Sequence, residues 1–184
     1  MNDLNLMQVS VFRTALGWFA MGGRDLSLCV LTFGHHDADD AQQTIEKMLS
    51  RRVRRSTWNR DLRQRLQDYA DGAPMDFLDI PLEAVGLTRF SQAVIEACRR
   101  IPYGQTFSYG QLAQQAGALG AARAVGNVMR SNRCPLVVPC HRVVHGDGRL
   151  GNFSAPQGVA MKQRLLNLER ATLLTSARPT LVEH

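Results

Sequence analysis

Cys140 and His141 are neighbours in the run Pro139-Cys140-His141-Arg142-Val143-Val144, directly after an apolar segment with a proline at each end, Pro135-Leu136-Val137-Val138-Pro139. A thiol beside an imidazole admits two chemistries. One is metal binding, for which Cys134 and His145 are the nearest further ligands; their spacing fits no usual zinc pattern. The other is nucleophilic attack. The thiolate is the attacking form, so a thiol with an ordinary pKa of about 8.5 needs a neighbouring base, and that base works best when a carboxylate orients it.

The elements that must position this pair follow from pattern. Val9 and Val11 alternate with polar neighbours, and Leu28-Cys29-Val30-Leu31 is apolar on both faces, so residues 8–33 read as strands. Gly22-Gly23 has the composition of a hairpin turn between Gly17–Met21 and Leu26–Phe33. Two helical stripes follow, Ala38, Ala41, Ile45, Met48 and Trp58, Leu62, Leu66, Tyr69, separated by the basic run 51–55. That run reads as a solvated face, with phosphate contact as the alternative. Residues 81–86 read as a linker, which divides the chain into 1–85 and 86–184.

The second half is helical in short pieces. Thr88 is placed to cap a helix with apolar face Phe90, Val94, Ala97, Cys98 and Ile101, and Ser108 to cap a second from Tyr109 to Ala116. A third helix, 121–130, is rich in small residues and bears Arg123 and Arg130. Helix, turn and small-faced basic helix is the grammar of a helix-turn-helix, though an ordinary helical hairpin has the same outline. A last helix carries Met161, Leu165, Leu168 and Thr172 on one stripe.

At 184 residues, 45% hydrophobic and 21% charged, the chain buries a core without disulfide staples. Four cysteines without a CxxC pair read as free thiols of a reducing compartment. The opening MNDLNLMQVS does not read as a secretory signal, and no apolar run approaches the roughly 20 residues of a membrane span. The expectation is a soluble, cytoplasmic protein. Net charge is +6, unevenly spread: residues 86–184 hold 12 Lys+Arg against 4 Asp+Glu, and residues 1–85 hold 10 against 12. A basic half beside a near-neutral half fits a polyanionic partner; the bland account is an arginine-favouring genome, since 20 of the 22 basic residues are Arg.

Longer, ordered stretches resemble the O6-alkylguanine-DNA alkyltransferases, also called methylated-DNA–protein-cysteine methyltransferases. They are Ile101-Pro102-Tyr103-Gly104, Ser108-Tyr109-Gly110-Gln111-Leu112-Ala113, Ala121-Ala122-Arg123-Ala124-Val125-Gly126, Ser131-Asn132, Val138-Pro139-Cys140-His141-Arg142-Val143-Val144, Gly151-Asn152-Phe153-Ser154, and Lys162 through Glu169. The likeness covers about residues 86–170; residues 1–85 match loosely. It implies an α+β fold: an N-terminal ribonuclease-H-like sheet-plus-helix domain and a mostly helical C-terminal domain with a helix-turn-helix or winged-helix-like DNA-binding unit.

The resemblance also implies roles. Cys140 resembles the alkyl acceptor and His141 the base that activates it through a water, with Glu169 completing the relay and Asn132 bracing the turn. Tyr109 resembles the hydroxyl that donates to the leaving guanine. Arg123 resembles the finger that fills the stack after base flipping, with Ala122 and Gly126 small enough for close approach to a minor groove, and Ser108 and Arg130 beside them. Val143, Phe153 and Ser154 are implied around the extruded guanine. The implied partner is double-stranded DNA containing alkylated guanine, bound by a monomer that needs no cofactor and no metal. Two departures stand out: Ser154 is followed by Ala155-Pro156-Gln157-Gly158 in place of a Gly-Gly pair, about two residues longer, and Arg170 follows Glu169 where glycine is frequent. Proline removes an N–H from that loop. Cys29, His35 and His36 raise a metal site carried by some relatives and read here as structural.

Overall fold

The computed structural model describes residues 7–84 and 86–176. Strands β1 (Gln8–Thr14), β2 (Gly17–Arg24) and β3 (Ser27–His35) form an antiparallel sheet in that order. Strand alternation sends Val9, Ala20 and Val30 to one face, where Ala41 and Ile45 of helix α1 (Ala38–Leu49) cover them. Phe12, Phe19, Met21, Leu31 and Phe33 take the other face and join the main core. Asp37 starts α1, its side chain accepting from the backbone N–H groups of Asp39 and Asp40.

The β2–β3 turn is not at Gly22-Gly23. Both glycines lie inside β2, and the chain reverses at Asp25-Leu26, with Asp25 at φ 51. Packing selects the glycine instead: a Cβ on Gly23 would stand 2.1 Å from the Ser27 carbonyl oxygen and 2.3 Å from the Trp58 ring. Trp58 also differs from the periodic reading. Helix α2 (Arg60–Ala70) begins after it, because Asn59 at φ 50 caps the helix through Oδ1 and the Leu62 N–H. Trp58 is buried ahead of the cap, its indole N–H donating to the Asp25 carbonyl. In the basic run, Arg52 pairs with Glu46 and Arg55 with Asp39, while Arg51 and Arg54 are exposed, as a solvated face requires.

Residues 71–84 are bound down on both sides. The Leu28 N–H donates to the Pro81 carbonyl at 2.8 Å and the Glu83 N–H to the Leu28 carbonyl at 2.9 Å, so this stretch runs along β3. Arg99 then donates to the carbonyls of Phe77, Leu78 and Ile80. Val85 lies outside the described residues.

Helix α3 (Arg89–Arg99) is capped by Thr88, and α4 (Tyr109–Gln115) by a reciprocal bond pair between Ser108 and Gln111. Gly117 at φ 72 follows the end of α4 and leads to α5 (Ala122–Arg130). A 3-10 turn, Cys140–Arg142, runs into the short strand β5 (Val143–Val144), which pairs in parallel with β4 (Phe107–Ser108). Helix α6 (Gly158–Ser176) lays Met161 and Leu165 into the core, and its Thr172 hydroxyl donates to the Gly72 carbonyl. One cluster of buried residues runs from Phe12 to Leu165 through both halves. The α+β expectation holds.

Candidate active site

Cys140 sits at the floor of a cleft of about 760 Å³ between α5 and the loop 151–154. The cleft is lined by Tyr109, Ala122, Arg123, Gly126, Arg130, Phe153 and Ser154, so most of the side chains expected around DNA and guanine share one cleft. Asn127, Met129, His145 and Asn152 line it too; of these, the sequence reading raises His145 only as a metal ligand and Asn152 only within a matched stretch. Arg123 and Arg130 are exposed at its rim. Ser108 lies outside the lining, with its hydroxyl spent on the α4 cap. The Tyr109 ring packs against His145 at 5.2 Å, and Gly151 sits at φ 69, where a side chain is strained and its Cβ would crowd the Tyr109 hydroxyl at 3.0 Å.

The segment leading to Cys140 is bracketed by one side chain. Asn132 Nδ2 donates to the Val138 carbonyl at 2.9 Å and to Cys140 Sγ at 3.1 Å, and its Oδ1 accepts from the Cys134 N–H at 3.0 Å. Leu136, inside that bracket, is held at φ 72, a costly angle for a branched residue that the surrounding bonds enforce. Burial pushes the Cys140 thiol above its ordinary value; the Asn132 amide and the charge of Lys162 pull the other way. The buried side chain therefore stays a thiol, and attack by its sulfur would need a base to take the proton.

A candidate for that base is His141, behind the turn. His141 is fully buried; its Nε2 lies 2.8 Å from Glu169 Oε1. Burial is the larger influence and lowers the imidazole's pKa, so it is neutral, although Glu169 opposes this. Glu169 is buried, which alone would raise its pKa. Donation from His141 and Arg142 instead holds it at about 2, a carboxylate. Facing a carboxylate, Nε2 carries the proton, and the lone pair is on Nδ1, which is buried and has no partner among the described protein groups.

Three contributors to this network were not singled out by sequence reasoning. Arg142 donates to both Glu169 oxygens, with Nη2 at 2.9 Å from Oε1 and Nε at 3.1 Å from Oε2, and to the Ile101 carbonyl at 2.7 Å. Lys162, 1% exposed, donates to the Val143 carbonyl at 2.6 Å. Tyr69, from the first half of the chain, donates to Glu169 Oε1 at 2.7 Å. Arg142 and Lys162 stand inside the matched motifs, but neither stripe nor cap signals a buried cation; only its partner, distant in sequence, does.

Phe153 is half-buried and meets the Phe33 ring edge-on at 6.2 Å, tying the loop to the sheet. The longer loop ends in a turn where the Gly158 N–H donates to the Ala155 carbonyl. His35 is buried between Thr32 and Asp40, and His36 is exposed. Among the described residues no cluster of three or more His, Cys, Asp or Glu side chains could hold a metal ion.

A family described as 6-O-methylguanine DNA methyltransferase, DNA binding domain, matches residues 89–171. A Thermus thermophilus protein named DNA base-flipping protein is 44% identical over 112 residues, 60% of this chain and 72% of that protein. A methylated-DNA–protein-cysteine methyltransferase of Mycobacterium leprae is 44% identical over 111 residues, 60% of this chain and 65% of its own length. The solved O6-methylguanine methyltransferase of Mycobacterium tuberculosis overlays at TM-score 0.76 with 31% identity, covering 95% of this chain and 96% of that one. The OGT of that organism in complex with DNA overlays at 0.69, with 30% identity and coverage of 90% and 94%.

Proposed function

The chain belongs to the methylated-DNA–protein-cysteine methyltransferase family, and on that premise we propose that it repairs O6-alkylguanine in DNA by moving the alkyl group irreversibly onto its own Cys140. The observation that carries this is the line Asn132–Cys140–His141–Glu169: a buried thiol with an N–H donor on its sulfur, and behind it a neutral imidazole fixed by a carboxylate.

In this reading the thiol proton passes, through a water, to the free Nδ1 of His141. Sγ forms a bond to the alkyl carbon as the bond from that carbon to O6 breaks, and the electron pair leaves with guanine. Tyr109, at the cleft wall, donates to the base as charge builds on it. The base must leave the duplex to reach Cys140, so α5 meets the minor groove with Arg123 in the vacated stack; Ala122 and Gly126 keep the approach close. Val143, Phe153 and Ser154 hold the extruded guanine. S-alkylcysteine is a poor leaving group, so each molecule acts once. Residues 1–85 support the site and residues 86–184 carry DNA contact and transfer. No metal or cofactor takes part, the protein works as a monomer, and its place in the cell is with the DNA. No described helix is long and apolar enough to cross a membrane.

The rival is a sensor that flips alkylated bases without transfer. It has no use for a thiol held between an amide donor and an oriented base, and that arrangement favours transfer. Intact mass after incubation with an O6-methylguanine oligonucleotide decides: transfer adds about 14 Da, once, at Cys140. DNA binding with no gain in mass would establish the sensor.

A further inference from the structure

Tyr69 lies on α2, a hundred residues before Glu169, yet its hydroxyl ends inside the relay. Its ring is 1% exposed and fixed edge-on between Phe77 and Tyr103, at 6.1 and 6.0 Å. Burial first, and then the charge of Glu169, push its pKa well above 10, so the group is always a hydroxyl. Its one proton goes to Glu169 Oε1 at 2.7 Å; the hydroxyl oxygen, 3.3 Å from His141 Nε2, is then an acceptor there. The oxygen of Glu169 that orients His141 is thus shared with a side chain from the other half of the protein.

We propose that Tyr69 is a positioning residue for alkyl transfer: by occupying Glu169 Oε1 it limits the carboxylate's pull on His141, keeping the imidazole neutral and ready to accept the thiol proton. This rests on the reading of Cys140 as the alkyl acceptor. The groups facing His141 make the balance explicit. Glu169 from α6 favours the imidazolium, while Lys162 from α6, Arg142 from the same turn and burial itself oppose it. Tyr69 from α2 acts by drawing on Glu169, as Arg142 does from the other side. Without the hydroxyl, Oε1 loses a short donor and the charge concentrates on its remaining partners, of which His141 is the one that titrates.

The test is Tyr69→Phe in the full chain, which keeps the buried ring. His141 is titrated by NMR, its resonance assigned by difference from His141→Gln, and the rate of transfer from O6-benzylguanine is followed between pH 5 and 9. The titration midpoint and the acid limb of the rate profile both move up by about one pH unit. At pH 6 the variant is then several-fold slower than the native chain, and at pH 8.5 the two rates converge. An unmoved or lowered midpoint, or a rate loss equal at every pH, overturns the proposal and leaves Tyr69 a packing residue. If the native chain takes up no alkyl group at all, the transfer reading fails, while the NMR titration still decides whether Tyr69 sets the basicity of His141.

Discussion

Asn132 Nδ2 stands 3.1 Å from Cys140 Sγ and 2.9 Å from the Val138 carbonyl, so one amide group both braces the segment before Cys140 and points a donor at its sulfur. The two jobs separate on substitution. Asn132→Ala removes three bonds and is expected to destabilise the protein by about 2–3 kcal/mol, read as a lower urea midpoint. It also removes a group that holds the thiol pKa down, so alkylation of Cys140 slows by about tenfold or more at pH 7 and recovers in part at higher pH. Transfer at the native rate in a destabilised Asn132→Ala protein would reduce the residue to a brace.

Cys140→Ser keeps the size of the side chain and removes the nucleophile. No alkyl group is taken up, and affinity for undamaged duplex stays within about twofold, because binding comes from the cleft rim and the backbone contacts around it. The pair of measurements is a mass spectrum and a fluorescence-anisotropy titration. A methyl group retained on the serine protein would move the acceptor elsewhere.

Arg123 is exposed at the start of α5, on the rim of the cleft that contains Cys140. If it fills the stack, Arg123→Ala slows repair of duplex O6-methylguanine by at least about tenfold, since opening a step costs a few kcal/mol. Reaction with free O6-benzylguanine has no stack to open and changes by less than about twofold. Equal losses on the two substrates would mean that Arg123 shapes the pocket.

Acid stability should carry the mark of the buried relay. Glu169 is lowered from an ordinary 4.5 to about 2 in the folded state, so its stabilising contribution is whole above about pH 4.5 and drains away as pH falls toward 2. His141 is also lowered, from 6.5, by burial. The unfolded chain takes up that proton first, and the protein weakens from about pH 6.5 downward. The melting temperature is therefore expected to fall in two stages on acidification. Glu169→Gln leaves Arg142 buried beside a neutral amide, costs about 3–5 kcal/mol at pH 7, and removes the stage below pH 4.5. The same acid slope in both proteins would place the titrating group outside the relay.

How legible the site was depended on how local its causes were. Thr88, Ser108 and the stripes of α3 and α6 are readable because caps and 3.6-residue spacing are local physics. The line proposed for transfer is legible through the ordered motifs, and Cys140, His141, Asn132 and Glu169 do come together in space. Gly22-Gly23 misled because a pair of glycines marks a turn and a crowded strand alike; only the Trp58 ring and the Ser27 carbonyl over Gly23 distinguish them. Tyr69 was assigned to the apolar stripe of its helix and does pack there, but its polar end meets Glu169 across a hundred residues, a separation that no window on the sequence spans.

The charge asymmetry can be tested residue by residue. Arg130 is exposed on the cleft rim at the end of α5, and Arg54 is exposed in the basic run of the other half. If DNA lies along α5, Arg130→Gln removes one phosphate contact. The log–log slope of non-specific affinity against salt then becomes shallower by about 0.9. Arg54→Gln removes the same charge from the molecule and leaves the slope unchanged, because a solvated arginine that meets no phosphate releases no counterion from the DNA. Little base preference is expected on undamaged duplex for either protein, since contacts to the backbone position without specifying. Equal shallowing by both variants would show that the affinity follows net charge, and that the basic half reflects composition without marking a DNA face.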